Sequence, residues 1–157
     1  MLYQPQQSRQ NDNRESDMNT RTFALIFGIA FLIIGIGGFV MAPTTPGPHP
    51  DLDMTHGFGH SLGLFPINTL HNIVHIAFGV WGLAAYRSLG GSVTYFRGVA
   101  IAYALLTVMG LVEAGKMHTT FGFIPLYGND VWLHALLALV AAYFGWMHRD
   151  RGAHDRT

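Results

Sequence analysis

Nine histidines stand in a chain that has no cysteine. Imidazole suits zinc, copper, nickel or iron, and it serves as an axial ligand of haem iron. The missing cysteine excludes disulfides, thiolate metal sites and cysteine nucleophiles. Two segments carry the chemistry: His71-Asn-Ile-Val-His75 and Asn129-Asp-Val-Trp-Leu-His134. A spacing of four places His71 and His75 on one face of a helix. The residue types leave three readings open. A transition-metal ion would take His71, His75, Asp130 and His134 as ligands. A tetrapyrrole would take His75 and His134, as axial ligands on opposite faces of a haem, or one of them on a chlorophyll-type pigment. A structural role would have His75 meet a facing carbonyl, or Asp130 meet His71, at about 0.6 kcal/mol per hydrogen bond. The chain has no Ser-His-Asp frame, no zinc-protease motif and no glycine-rich phosphate loop, so nothing in it marks an enzyme.

The elements that hold these residues follow from composition. Of 157 residues, 50% are hydrophobic and 11% charged, against about 25% charged in ordinary soluble domains. The formal net charge is zero, so there is no basic excess for nucleic acid. A membrane helix needs about 20 apolar residues. Four stretches qualify, at residues 22–42, 67–86, 96–114 and 130–147, and predict an all-α membrane protein with four transmembrane helices in a compact bundle. The first run is too long for a signal-peptide core. Residues 1–21 are polar and read as a disordered cytoplasmic tail, within which Met18 is an alternative start. Residues 148–157 read as a second cytoplasmic tail.

Lys and Arg set the orientation. Arg9, Arg14, Arg21, Arg87, Arg97, Arg149, Arg151 and Arg156 fall on one side of four spans, and Lys116 alone on the other. Both termini are therefore predicted to be cytoplasmic, in the cell membrane. The outer side then holds His49, His56, His60, His71, His75, His118 and His134, with Asp51, Asp53, Glu113 and Asp130. At 1.5 Å per residue, His75 lies roughly 12 Å below the start of its span, and His134 about half as deep. Small residues mark close helix contacts in lipid: Ala24, Gly28, Gly35, Gly37 and Gly38 in the first span, Gly79 and Gly82 in the second, and Ala135, Ala138, Ala142 and Gly145 in the fourth.

A short frame recurs. Gly63-Leu-Phe-Pro66 and Gly122-Phe-Ile-Pro125 each precede a histidine by nine residues from the proline, His75 and His134, at an offset of 59. This predicts two parallel helix-pair repeats, 1–2 and 3–4, with both histidines entering from the same face.

The segments Leu64-Phe-Pro-Ile-Asn68, His71-Asn-Ile-Val-His75 followed by Gly79, and Asn129-Asp-Val-Trp-Leu-His134 resemble a bacterial membrane family catalogued as domain of unknown function 4383. The resemblance covers about residues 22–147 and implies a four-span membrane protein. It brings no activity.

Other residues take plainer roles. Glu113 and Lys116 suit an interfacial ion pair. Trp81, Trp132, Trp146, Tyr86, Tyr95 and Tyr143 suit aromatic belts near the span ends. Met41, Met54 and Met117 suit packing. The expected function is that of a non-enzymatic accessory or binding protein with an outward His/Asp cluster. A haem-binding electron carrier, a pigment-holding subunit of a larger complex, and a structural partner without ligand are the alternatives. The expected partners are the lipid bilayer, other membrane subunits or a second copy, and no nucleic acid.

Overall fold

A computed structural model describes residues 4–40, 58–62, 64–112, 119–120 and 123–148. Four helices make most of it: α1 (Gln4–Val40), α2 (Thr69–Ala85), α3 (Leu89–Val112) and α4 (Asn129–Ala142), which runs on as a π-helical turn, Tyr143–Met147. Three of them, α1, α3 and α4 with its π-turn, are long and apolar enough to cross a membrane. At 17 residues α2 is shorter, and it is apolar too.

The structure corrects three expectations. First, the tail is not irregular: α1 is continuous from Gln4. Its early residues are good helix formers such as Gln, Arg and Glu. The polar segment is also tied down, because Ser16 Oγ donates to the His148 carbonyl at 3.4 Å and His148 Nε2 meets the Ser16 carbonyl at 3.2 Å. Second, Ile67 and Asn68 are strand rather than helix. The second helix starts at Thr69, where the Asn68 side chain accepts from His71 N–H at 2.8 Å as an N-cap. Third, α3 begins at Leu89, about two turns before the expected Phe96. Ser88 seeds that early start, its hydroxyl accepting from Gly91 N–H at 3.1 Å.

The fold is also not purely helical. Two short antiparallel hairpins precede the even-numbered helices: β1 (Phe58–Ser61) with β2 (Phe65–Asn68), and β3 (Thr119–Thr120) with β4 (Ile124–Pro125). Pro66 pairs opposite His60, and Pro125 opposite Thr119. Proline donates no ladder hydrogen bond, so it suits these two-stranded edges.

Helix α1 packs chiefly on α2, and α3 on α4. The first contact is nearly backbone on backbone. A Cβ at Gly82 would stand 2.7 Å from Gly28 Cα, and one at Gly79 would stand 2.9 Å from the Gly28 carbonyl oxygen. Small residues therefore set the α1–α2 spacing. The core is aromatic, with Phe31, Tyr95, Phe96, Tyr103 and Phe144 buried. Phe96 stacks on Phe144 at 5.0 Å, and Phe144 on Phe23 at 4.5 Å. The outside is apolar as well, with Ile33, Leu105, Val108, Trp132 and Leu139 all exposed.

Candidate functional site

The chemistry-bearing residues gather where α2 and α4 begin. Helix α2 turns His71, Asn72 and His75 inward, and α4 turns Asp130 and His134 inward. All five are buried, Asn72 most completely at 1% exposure. Because α2 starts at Thr69 and α4 at Asn129, His75 lies about 9 Å and His134 about 7.5 Å along its helix. The two histidines thus share nearly one level, closer than the sequence-based estimate.

Five contacts define the geometry. The His71 and His75 rings stand 4.3 Å apart between centroids, as the spacing of four requires. His134 Nε2 lies 3.6 Å from Asp130 Oδ2, one turn away on α4. Two aromatic side chains, Phe31 of α1 and Tyr103 of α3, link the histidines of the two helices. Phe31 meets His75 edge-on at 5.3 Å, Tyr103 meets His134 edge-on at 4.8 Å, and Phe31 stacks on Tyr103 at 5.7 Å. His75 is within electrostatic range of both His71 and His134. Among the described residues, no three His, Asp or Glu side chains converge as a ready-made ligand set.

The polar atoms here are poorly satisfied. Among the described residues, both ring nitrogens of His71, Nδ1 of His75 and of His134, and both polar atoms of the Asn72 carboxamide have no hydrogen-bond partner. His71 and Asn72 lie side by side without closing a bond of normal geometry. Asp130 Oδ2 has only the long approach to His134. Unpaired polar groups cost about 1–3 kcal/mol each when buried. Native structures show only a few per hundred residues.

Asn72 was not among the sequence-derived candidates. It sits one residue beyond His71 and faces α1, where a Cβ at Gly38 would overlap its carboxamide. The Gly37-Gly38 pair at the end of the first span was the available signal. Phe31 and Tyr103 read only as apolar span residues, and their place against the histidines comes from packing.

The hairpins cap this end of the bundle. β2 contacts the start of α4, and β4 the start of α2. Asn68 Nδ2 donates to the Phe123 carbonyl at 2.6 Å, joining the two hairpin units. His60 Nε2 lies 3.0 Å from the Tyr127 hydroxyl. Burial pushes the Tyr127 phenol above its ordinary range, so the hydroxyl stays protonated at neutral pH. Pro66, Ile67, Pro125 and Leu126 are buried beneath. His49, His56, His118, Glu113, Lys116, Met41, Met54 and Met117 lie outside the described residues, as do Gly63 and Gly122 of the recurring frame.

The family model described as "Domain of unknown function (DUF4383)" matches residues 21–147. The chain belongs to this family. The match takes in all four helices from Arg21 onward, both hairpins and every residue of the buried polar site. No curated protein and no solved structure matches the chain.

Proposed function

We propose that this chain is a four-span binding protein of the cell membrane, with both termini cytoplasmic, that holds a transition-metal ion between α2 and α4 near the outer surface. The carrying observation is the set of unpartnered ring nitrogens on His71, His75 and His134, buried beside Asp130. Imidazole nitrogens and a carboxylate are ligands for zinc, copper, nickel or iron. The His71–His75 pair offers two nitrogens from one face of α2, and Asp130 and His134 offer two donors from α4. These side chains would have to rotate toward a shared point to close the ligand set.

A tetrapyrrole fits less well, because its broad ring would have to displace Phe31 and Tyr103, which lie against His75 and His134 and against each other, whereas an ion needs only rotation of the ligand side chains. The membrane reading draws support from three long apolar helices, a fourth shorter one and an apolar exterior. The short α2 is reconciled with a bilayer by the hairpin cap, which lies at the outer boundary. Support for two parallel helix-pair repeats comes from the topology: in each pair the two helices are joined through a hairpin with proline in its second strand, and the second helix bears a buried histidine.

The test is metal analysis of the gently solubilised protein, with absorption spectra before and after dithionite. About one ion per chain is expected. That ion should be lost in His71→Ala and in His134→Ala while helicity is retained. A Soret band would replace the ion with a tetrapyrrole. A metal-free protein that takes up no added zinc, copper, nickel or iron would leave these histidines a structural role.

A further inference from the structure

Helices α3 and α4 leave an apolar groove of about 490 Å³ on the outside of the bundle. Its walls include Ala100, Ala104, Val108, Ala138 and Ala142, and Trp146 closes one end. The alanines make the space. From Ala100 to Val108 the groove follows α3 for about 12 Å.

Arg97 stands at the Trp146 end. Its guanidinium carbon lies 5.4 Å from the centroid of the Trp146 ring, within cation–π range. Its Nε donates to the Gly145 carbonyl at 2.9 Å. That carbonyl belongs to the π-turn. The two contacts fix the guanidinium plane and leave its terminal N–H groups directed elsewhere. Among the described residues no carboxylate forms an ion pair with Arg97.

We propose that the groove is a binding site for an anionic phospholipid, with one acyl chain along the alanine-lined wall and the phosphate on the terminal N–H groups of Arg97. Arginine suits phosphate because its planar fork donates two parallel charge-assisted hydrogen bonds. A fixed cation beside an apolar groove between helices matches both halves of such a lipid. A second copy of the chain fits less well. Its own α3 carries no Asp or Glu, and Asp130 of α4 is buried at the far end. A copy packing by α3 or α4 would therefore bring no carboxylate to Arg97, and the acids of α1, Asp12, Glu15 and Asp17, lie on a polar stretch that would not fill an apolar groove.

The groove contains its own reporter. With Trp81→Phe and Trp132→Phe in place, fluorescence comes from Trp146 alone. That protein is reconstituted into phosphatidylcholine vesicles carrying equal fractions of brominated phosphatidylglycerol or brominated phosphatidylcholine. The brominated glycerol lipid is expected to quench Trp146 several-fold more effectively. Arg97→Gln, which keeps an amide donor for Gly145, should abolish the preference, and Arg97→Lys should retain most of it. Equal quenching by both lipids, or a preference unchanged in Arg97→Gln, would overturn the proposal. Absence of quenching by either lipid would also overturn it, in favour of a protein neighbour over Trp146. Mass spectrometry gives a second readout with all three tryptophans intact. After extraction from the same vesicle lipids, wild type should carry phosphatidylglycerol and Arg97→Gln should not; equal carriage by both is the refuting result.

Discussion

Substituting Gly28 by alanine tests whether the α1–α2 contact is set by backbone approach. A Cβ at Gly28 would stand 2.9 Å from Leu83 N, 3.0 Å from the Gly79 carbonyl oxygen and 3.0 Å from Gly82 C. All three are backbone atoms of α2, so no side chain can swing aside. Reaching ordinary contact at 3.4 Å requires the helices to part by about 0.5 Å along their shared face. Overpacking of this kind costs about 1–3 kcal/mol. Alanine recovers up to about 1 kcal/mol of helix propensity over glycine. The expected net change is a destabilisation of about 1–2 kcal/mol. Gly37, nine residues on in the same helix, is the internal control, because a Cβ there meets nothing within 4 Å. Gly37→Ala should therefore be neutral or stabilising by up to about 1 kcal/mol. The assay is reversible unfolding in mixed micelles, followed by circular dichroism against the mole fraction of dodecyl sulfate. The opposite signs of the two changes are the signature. Equal shifts in one direction, or a Gly28→Ala protein as stable as wild type, would refute the contact as described.

Removing the Asn68 side chain should cost about 1–3 kcal/mol, since Asn68→Ala loses both the α2 N-cap and the bond to the Phe123 carbonyl; chemical unfolding in micelles reads the loss. The natural absence of cysteine makes topology directly measurable. In intact cells a membrane-impermeant maleimide should label Leu62→Cys in the first hairpin turn and leave Arg87→Cys between α2 and α3 unlabelled; the reverse pattern would invert the proposed orientation. Tyr127 supplies a pH test. Its folded-state phenol is raised above its unfolded value of about 10. Its stabilising contribution is then complete below that value and lost as pH rises through the folded value. Wild type should lose midpoint stability at alkaline pH relative to Tyr127→Phe, and parallel pH profiles would exclude Tyr127 as the cause. Gly128 adopts a left-handed backbone at φ 64° just before α4. Its ψ of −131° lies in a region open essentially to glycine alone, so Gly128→Ala should destabilise by about 1–3 kcal/mol in the same unfolding assay.

Much of the helical architecture was readable because apolar runs about 20 residues long have few alternatives to spanning helices. The two boundary errors at α2 and α3 came from local polar chemistry. Asn68 caps α2 only once β2 has turned the chain into it, and Ser88 opens α3 at Leu89 within a segment that reads as a linker. The hairpins escaped notice because Phe58–Ser61 and Ile124–Pro125 are too short for an alternating pattern to stand out. The helical tail escaped because its amphipathic signal is weak, and its anchor is a contact between Ser16 and His148 at the other end of the chain.

The sequence alone determined which residues could do chemistry and which stretches form long apolar helices. Residue type fixes ligand chemistry, a spacing of four fixes the His71–His75 pairing, and hydropathy over about 20 residues marks the long apolar helices. Only the tertiary structure decided that Asn72 joins the histidines, that Phe31 and Tyr103 link His75 and His134, and that Arg97 faces a groove. Each of these depends on how far helices approach and rotate about one another. That is settled by where glycine and alanine let backbones close and where aromatic side chains hold them apart. No local pattern encodes pairings such as Tyr103 with His134, Phe31 with His75 or Arg97 with Trp146, which lie 31, 44 and 49 residues apart in the chain.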